Sequence, residues 1–172
     1  MKPKSREEAA RTAGAKAREY MDKYGSCSQS TLLALQDTFD LKDESVFKAA
    51  GAMTGGIGGM QDACGSLCGA SLMFGQVLGR GINEYADKDK LMGSMTAAGQ
   101  LYKWYEKEFG SPTCKEIRTT FGGGVYYDMH IPWQAELAKE ARVHEQCVTL
   151  AEKTAARAAE ILWDEMNKKP KS

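Results

Sequence analysis

No surplus of charge of either sign marks this chain: 23 basic and 23 acidic residues cancel. Without a basic excess there is no electrostatic grip on nucleic acid or on anionic lipid, so neither is expected as a partner. The first residues, Met1 to Glu8, are charged and hold no apolar h-region, and no run approaches the length needed to cross a bilayer. The expected location is therefore cytoplasmic. Strand alternation, internal repeats and low-complexity segments are also missing, which leaves helices as the regular structure. The glycine run at 55–59 lacks the Gly-Lys-Ser/Thr ending of a nucleotide loop. Neither a Ser-His-Asp order nor a paired-carboxylate motif stands out, so hydrolytic catalysis has no support.

What is present reads as helix after helix. At 172 residues the chain suits one helical domain over 1–172, with 1–4 and 168–172 frayed. Ser5 with Glu8 forms a capping box that opens a helix whose Ala9, Ala13, Ala17, Tyr20 and Tyr24 share a face, and Gly25 stops it. Cys27 stands at or just ahead of a second amphipathic helix carrying Leu32, Leu33, Leu35 and Phe39. Asp43 caps a short third helix that runs into the glycine loop. A fourth helix ends at Gly79, Gly81 and Asn83, and a long fifth one through Leu91, Leu101 and Tyr105 ends at Gly110. Thr113 caps a short helix with Cys114 in its first position. Residues 122–130 are the least regular stretch, and Pro132 opens one long last helix with Leu137, Ala141, His144, Cys147 or Val148, Ala151 and Leu162 inward. The fold class is all-α, an antiparallel multi-helix bundle with a glycine-rich loop before a central helix. The alanine-rich last helix suits close packing on a neighbour or on a second subunit, and a homodimer is expected.

The stretch from Thr54 to Gly75 carries the chemistry. Glycines at 55, 56, 58 and 59, with only Ile57 between the pairs, exclude a helix interior, since each costs roughly 1 kcal/mol against Ala. From about Asp62 the apolar spacing turns helical, which puts Cys64 in the first turn. The partial positive charge at a helix start favours thiolate over thiol, so Cys27, Cys64 and Cys114 are expected to have lowered pKa values. Gly65 and Gly69, one turn apart, leave a bare strip for close approach of another backbone. The N–H groups of Gly58 and Gly59, with the strip at Gly65 and Gly69, are the candidate cofactor contacts; turn formation and close packing compete with that role. Five cysteines in a reducing compartment read as ligands, redox centres or small buried residues, not as a disulfide framework.

Cys64-Gly65-Ser66-Leu67-Cys68-Gly69 resembles the CGAxxG motif of a family of redox-active proteins, the C_GCAxxG_C_C family, named for that motif and three further isolated cysteines. The segments around Cys27, Cys114 and Cys147 are similar to the family's other cysteine segments in order and spacing. Two departures stand out: Ser66 replaces the usual Ala, and Cys68 adds a thiol. The resemblance implies a redox role for Cys27, Cys64, Cys114 and Cys147 and a redox partner protein. Two mechanisms fit those thiols. In the preferred one they ligate an iron–sulfur cluster or another thiophilic metal for electron transfer, with Cys68 and His144 as further possible ligands. In the other a pair cycles between dithiol and disulfide. A non-catalytic helical interaction module, with cysteines only filling tight contacts, is the reading from another class.

Overall fold

The computed structural model describes residues 2–168. It is all-α. Eight α-helices succeed one another: α1 (Arg6–Tyr24), α2 (Cys27–Phe39), α3 (Glu44–Ala50), α4 (Gly65–Leu78), α5 (Lys88–Phe109), α6 (Cys114–Phe121), α7 (Pro132–Glu140) and α8 (Val143–Met166). Short 3₁₀ turns at Gly51–Met53 and Ile82–Glu84 join the series. Among the described residues there is no strand, only an isolated antiparallel bridge between Ala63 and Thr113.

Local chemistry sets most of the boundaries. The Ser5 side chain accepts from the Glu8 N–H at the start of α1, Asp43 from two N–H groups of α3, Asp87 from Lys90 N and Thr113 from Glu116 N. Gly25 and Gly110 close α1 and α5 in the left-handed conformation. Small residues let the long helices lie close. Ala9, Ala13 and Ala17 of α1 are fully buried, as are Ala151, Ala155, Ala158 and Ala159 of α8. A Cβ on Gly14 would stand 3.2 Å from the Glu152 carbonyl oxygen. Apolar α4 packs against α2, α5 and α8, burying Leu67, Ala70, Met73 and Phe74.

Three expectations need correction. The segment after Pro132 is two helices, because Arg142 takes a left-handed conformation (φ 55°) and interrupts the backbone ladder. That break shifts the face ahead of Val148: Val143 turns inward, whereas His144 is exposed and Leu137 is 40 % exposed. Helix α4 begins at Gly65 with Cys64 as its N-cap residue, so Cys64 precedes the first turn. Tyr24, placed on the inner face of α1 by spacing, is 62 % exposed because it falls in the last turn, beyond the partners that cover Ala17 and Met21. Of the fraying expected over 168–172, residues 169–172 lie outside the described residues, as does Met1.

Candidate functional site

The glycine run forms a left-handed turn. Gly55, Gly56, Ile57, Gly58 and Gly59 all have positive φ, between 59° and 82°, a succession that only glycines make accessible at low cost. Its N–H groups are used internally: Ile57 N donates to Met53 O, Gly58 N to Ala52 O and Gly59 N to Thr54 O. Gly58 and Gly59 therefore bring no free donors to a cofactor. Further along, Gln61 and Asp62 return across the turn, and Gln61 N and Asp62 N donate to Gly55 O and Gly56 O.

The chain leaves this turn directly into the Ala63–Thr113 bridge, and the bridge assembles the site. Cys64 N donates to Pro112 O at 2.9 Å, and Cys114 N to Asp62 O at 2.6 Å. The two cysteines each follow a bridged residue and each begin a helix, Cys64 as N-cap of α4 and Cys114 as first residue of α6. Cys27 is the first residue of α2. Its N-cap residue, Ser26, makes no side-chain cap; its hydroxyl bonds instead to Gln29 Oε1 at 3.1 Å and Thr54 Oγ1 at 2.8 Å. Thr54 Oγ1 bonds in turn to Ser28 Oγ, which donates to Ala50 O. This hydroxyl chain ties the start of α2 to the segment that enters the left-handed turn.

Both motif glycines are explained by contacts with α2. A Cβ on Gly65 would lie 2.4 Å from Cys27 Sγ and 2.9 Å from Met53 O; on Gly69 it would lie 2.2 Å from Ser28 O. Gly65 thus makes room for a sulfur, and Gly69 for a backbone. Neither needs a cofactor to account for it.

Cys27, Cys64, Cys114 and Cys147 all line one cavity of about 110 Å³, with Ser66, Arg118 and His144 among its other walls. All are free thiols; Cys64 and Cys114 are buried, whereas Cys27 and Cys147 are half-buried. Cys27 and Cys147 pack on a small apolar cluster of Met21, Val148 and Ala151. His144 reaches the cavity from an exposed position on its rim. Cys68, half-buried, is absent from these walls; its thiol points to Ala63 O at 3.9 Å. His130 instead sits over Gly59, its Nε2 3.2 Å from the Gly59 carbonyl oxygen.

The electrostatics reverse the expectation of activated, low-pKa thiols at Cys64 and Cys114. Burial pushes Cys64 well above the ordinary thiol range, and proximity to Cys27 adds to this. Tyr105, fully buried, donates its hydroxyl to Cys64 Sγ at 3.0 Å and opposes that rise. Burial likewise pushes Cys114 up to about 12 and Cys147 up to about 11, in both cases against the pull of the Arg118 guanidinium. Cys68 is also raised by burial. Desolvation of a thiolate outweighs the helix-start dipole at the buried positions. Arg118 is the site residue that sequence reasoning missed; its spacing of four from Cys114 on α6 was the available signal.

Among the described residues no group of three or more His, Cys, Asp or Glu side chains is arranged to hold a metal ion. The ligand set expected for an iron–sulfur centre, with Cys68 and His144 included, is not assembled in this conformation. No helix of the described residues is long and apolar enough to cross a membrane.

No curated protein and no solved structure matches the chain. A family model does, over residues 25–161, under the description "Putative redox-active protein (C_GCAxxG_C_C)". The matched span runs from just before Cys27 to beyond Cys147, so it contains every thiol of the cavity, and the chain belongs to this C_GCAxxG_C_C redox-active family.

Proposed function

We propose that the protein is a dithiol/disulfide redox protein of the reducing cytoplasm, working with a redox partner protein through the cysteines of this cavity. The observation that carries the reading is the seating of Cys27 Sγ on Gly65, beside Cys64, in the wall of a cavity shared by two further thiols. Cys27 is half-buried and Cys64 buried, which supports Cys27 as the attacking thiol and Cys64 as the resolving one.

The chemistry is thiol–disulfide exchange. The Cys27 thiolate attacks one sulfur of the partner's disulfide, forming a mixed disulfide and expelling the partner's other sulfur as thiolate. Cys64, as thiolate, then attacks the Cys27 sulfur. The mixed disulfide breaks, the partner leaves as a dithiol, and Cys27–Cys64 closes as a disulfide. Two electrons pass to the partner, and the two thiol protons end on its sulfurs. The Tyr105 hydroxyl, donating to Cys64 Sγ, stabilises that sulfur while it is anionic.

A thiolate-bound iron–sulfur centre would use the same cysteines, but among the described residues no three of them are arranged to hold a metal ion. The experiment is to purify the protein without oxygen, measure iron and acid-labile sulfide, and titrate free thiols before and after a small aromatic disulfide. The proposal expects metal-free, colourless protein that loses two thiols, mapped by mass spectrometry to Cys27 and Cys64, and no such loss in Cys27→Ser. Iron with sulfide, lost in the cysteine variants, would replace it with a cluster protein. Thiols that stay reduced under the oxidant would leave a helical interaction module. The expected homodimer is tested by light scattering on the same sample.

A further inference from the structure

Two buried hydrogen-bonding groups on the cavity wall have no protein partner. Ser66 is fully buried, and its Oγ bonds to nothing. Arg118 Nε is likewise buried without an acceptor, while the Nη2 of the same guanidinium faces Met129 Sδ at 2.6 Å. Buried polar groups are nearly always paired, and leaving one unpaired costs about 1–3 kcal/mol. Two orphans on one cavity wall point to a ligand that accepts from both.

The rest of the wall says what kind of ligand. Arg118 and His144 are its basic side chains, and no Asp or Glu lines it. Helices α2 and α4 begin at Cys27 and Gly65 with no side chain capping their first-turn N–H groups, which adds positive potential from two directions. The acceptor is therefore an anion. At about 110 Å³ the cavity is well below the roughly 300 Å³ at which pockets for drug-sized molecules begin, so flavins and nicotinamide dinucleotides do not fit.

We infer that the four-cysteine cavity binds a small inorganic oxyanion, with Ser66 Oγ donating to one oxygen and the Arg118 guanidinium to another. This deepens the thiol reading by naming the class of small molecule that stands among the sulfurs. Ser66 is also where this chain departs from the Ala of the motif it resembles, so the anion contact belongs to this chain's own sequence.

The test uses the full-length reduced protein, with sulfate as probe and chloride at equal ionic strength as control. The readouts are the rate of Cys27 and Cys147 alkylation by iodoacetamide, resolved by mass spectrometry, and the thermal midpoint. Sulfate is expected to slow alkylation saturably, by about threefold or more, and to raise the midpoint, with chloride doing neither. Ser66→Ala, a small change in a helix, is expected to weaken the apparent sulfate affinity about tenfold, and Arg118→Met to abolish the effect; Arg118→Lys, keeping the charge, serves if Arg118→Met fails to fold. Equal effects of chloride and sulfate, or undiminished sulfate binding in Ser66→Ala and the Arg118 variant, would overturn the inference. Disulfide formation is measured separately on anion-free protein. Loss of sulfate binding with intact thiol pairing removes only the anion site, and sulfate binding without thiol pairing removes only the exchange chemistry.

Discussion

The sulfur of Cys27 rests on the bare Cα of Gly65, where a Cβ would stand only 2.4 Å from Sγ. At Gly69, one turn on, the same helix α2 approaches through Ser28 O, 2.2 Å from where a Cβ would be. The two motif glycines thus separate a sulfur contact from a backbone contact. Gly65→Ala is expected to displace Cys27, changing its alkylation rate, and to destabilise by about 1–3 kcal/mol. Gly69→Ala should destabilise at least as much, because a carbonyl oxygen cannot swing aside. Urea unfolding and peptide-resolved alkylation of both variants check the pair.

Tyr105→Phe removes the hydroxyl that donates to Cys64 Sγ. Without it, only the Ser66 backbone N–H opposes burial at the Cys64 thiolate, so its pKa rises further. In unfolded-state terms the loss is modest, about 1 kcal/mol. The expected outcome is slower closure of the Cys27–Cys64 disulfide at unchanged Cys27 alkylation, read by stopped oxidation and mass mapping.

The buried thiols also set a pH dependence of stability. Cys147 at about 11 and Cys114 at about 12 lie above the value of roughly 8.5 for an unfolded thiol. Between those values the folded chain holds protons that the unfolded chain has released. Stability from these groups is therefore complete below about pH 8.5 and is lost as pH rises toward 11 and 12. Urea midpoints should be level from about pH 7 to 8 and fall by about pH 10, with a shallower fall in a Cys114→Ala, Cys147→Ala variant.

Ile57 is a β-branched residue held at φ 59° inside the left-handed turn, and it is 45 % exposed. Ile57→Gly is expected to stabilise the protein by roughly 0.5 kcal/mol through relief of that strain. Gly58, with φ 61° and nothing near its absent Cβ, predicts the reverse: Gly58→Ala should cost about 1–2 kcal/mol with no clash involved. Thermal unfolding of the two variants should move in opposite directions.

Helices with chemical punctuation were legible before any coordinates. Ser5, Asp43 and Thr113 cap the helices their spacing announces, and Gly25, Gly79 and Gly110 end them. The break at Arg142 was not, because no glycine or proline marks it and a left-handed arginine is decided by tertiary packing of α7 and α8. The convergence of Cys27, Cys64, Cys114 and Cys147 could be anticipated from their contexts. Their protonation could not: helix starts predict activation, whereas burial, which depends on the whole fold, pushes Cys64, Cys114 and Cys147 the other way. Arg118 escaped notice because its one signal, the spacing of four from Cys114, does not by itself point to a cavity formed with α2, α4 and α8.

The Ala63–Thr113 bridge fastens the two ends of the excursion through α4 and α5 immediately before two of the thiols. The spacing of Cys64 and Cys114 is consequently insulated from events at the far tip of that excursion, around Gly79–Asp87. Lengthening or shortening that tip leaves the sulfurs in register. A single residue inserted between Gly59 and Cys64, by contrast, would slip the bridge and turn one thiol away from the other.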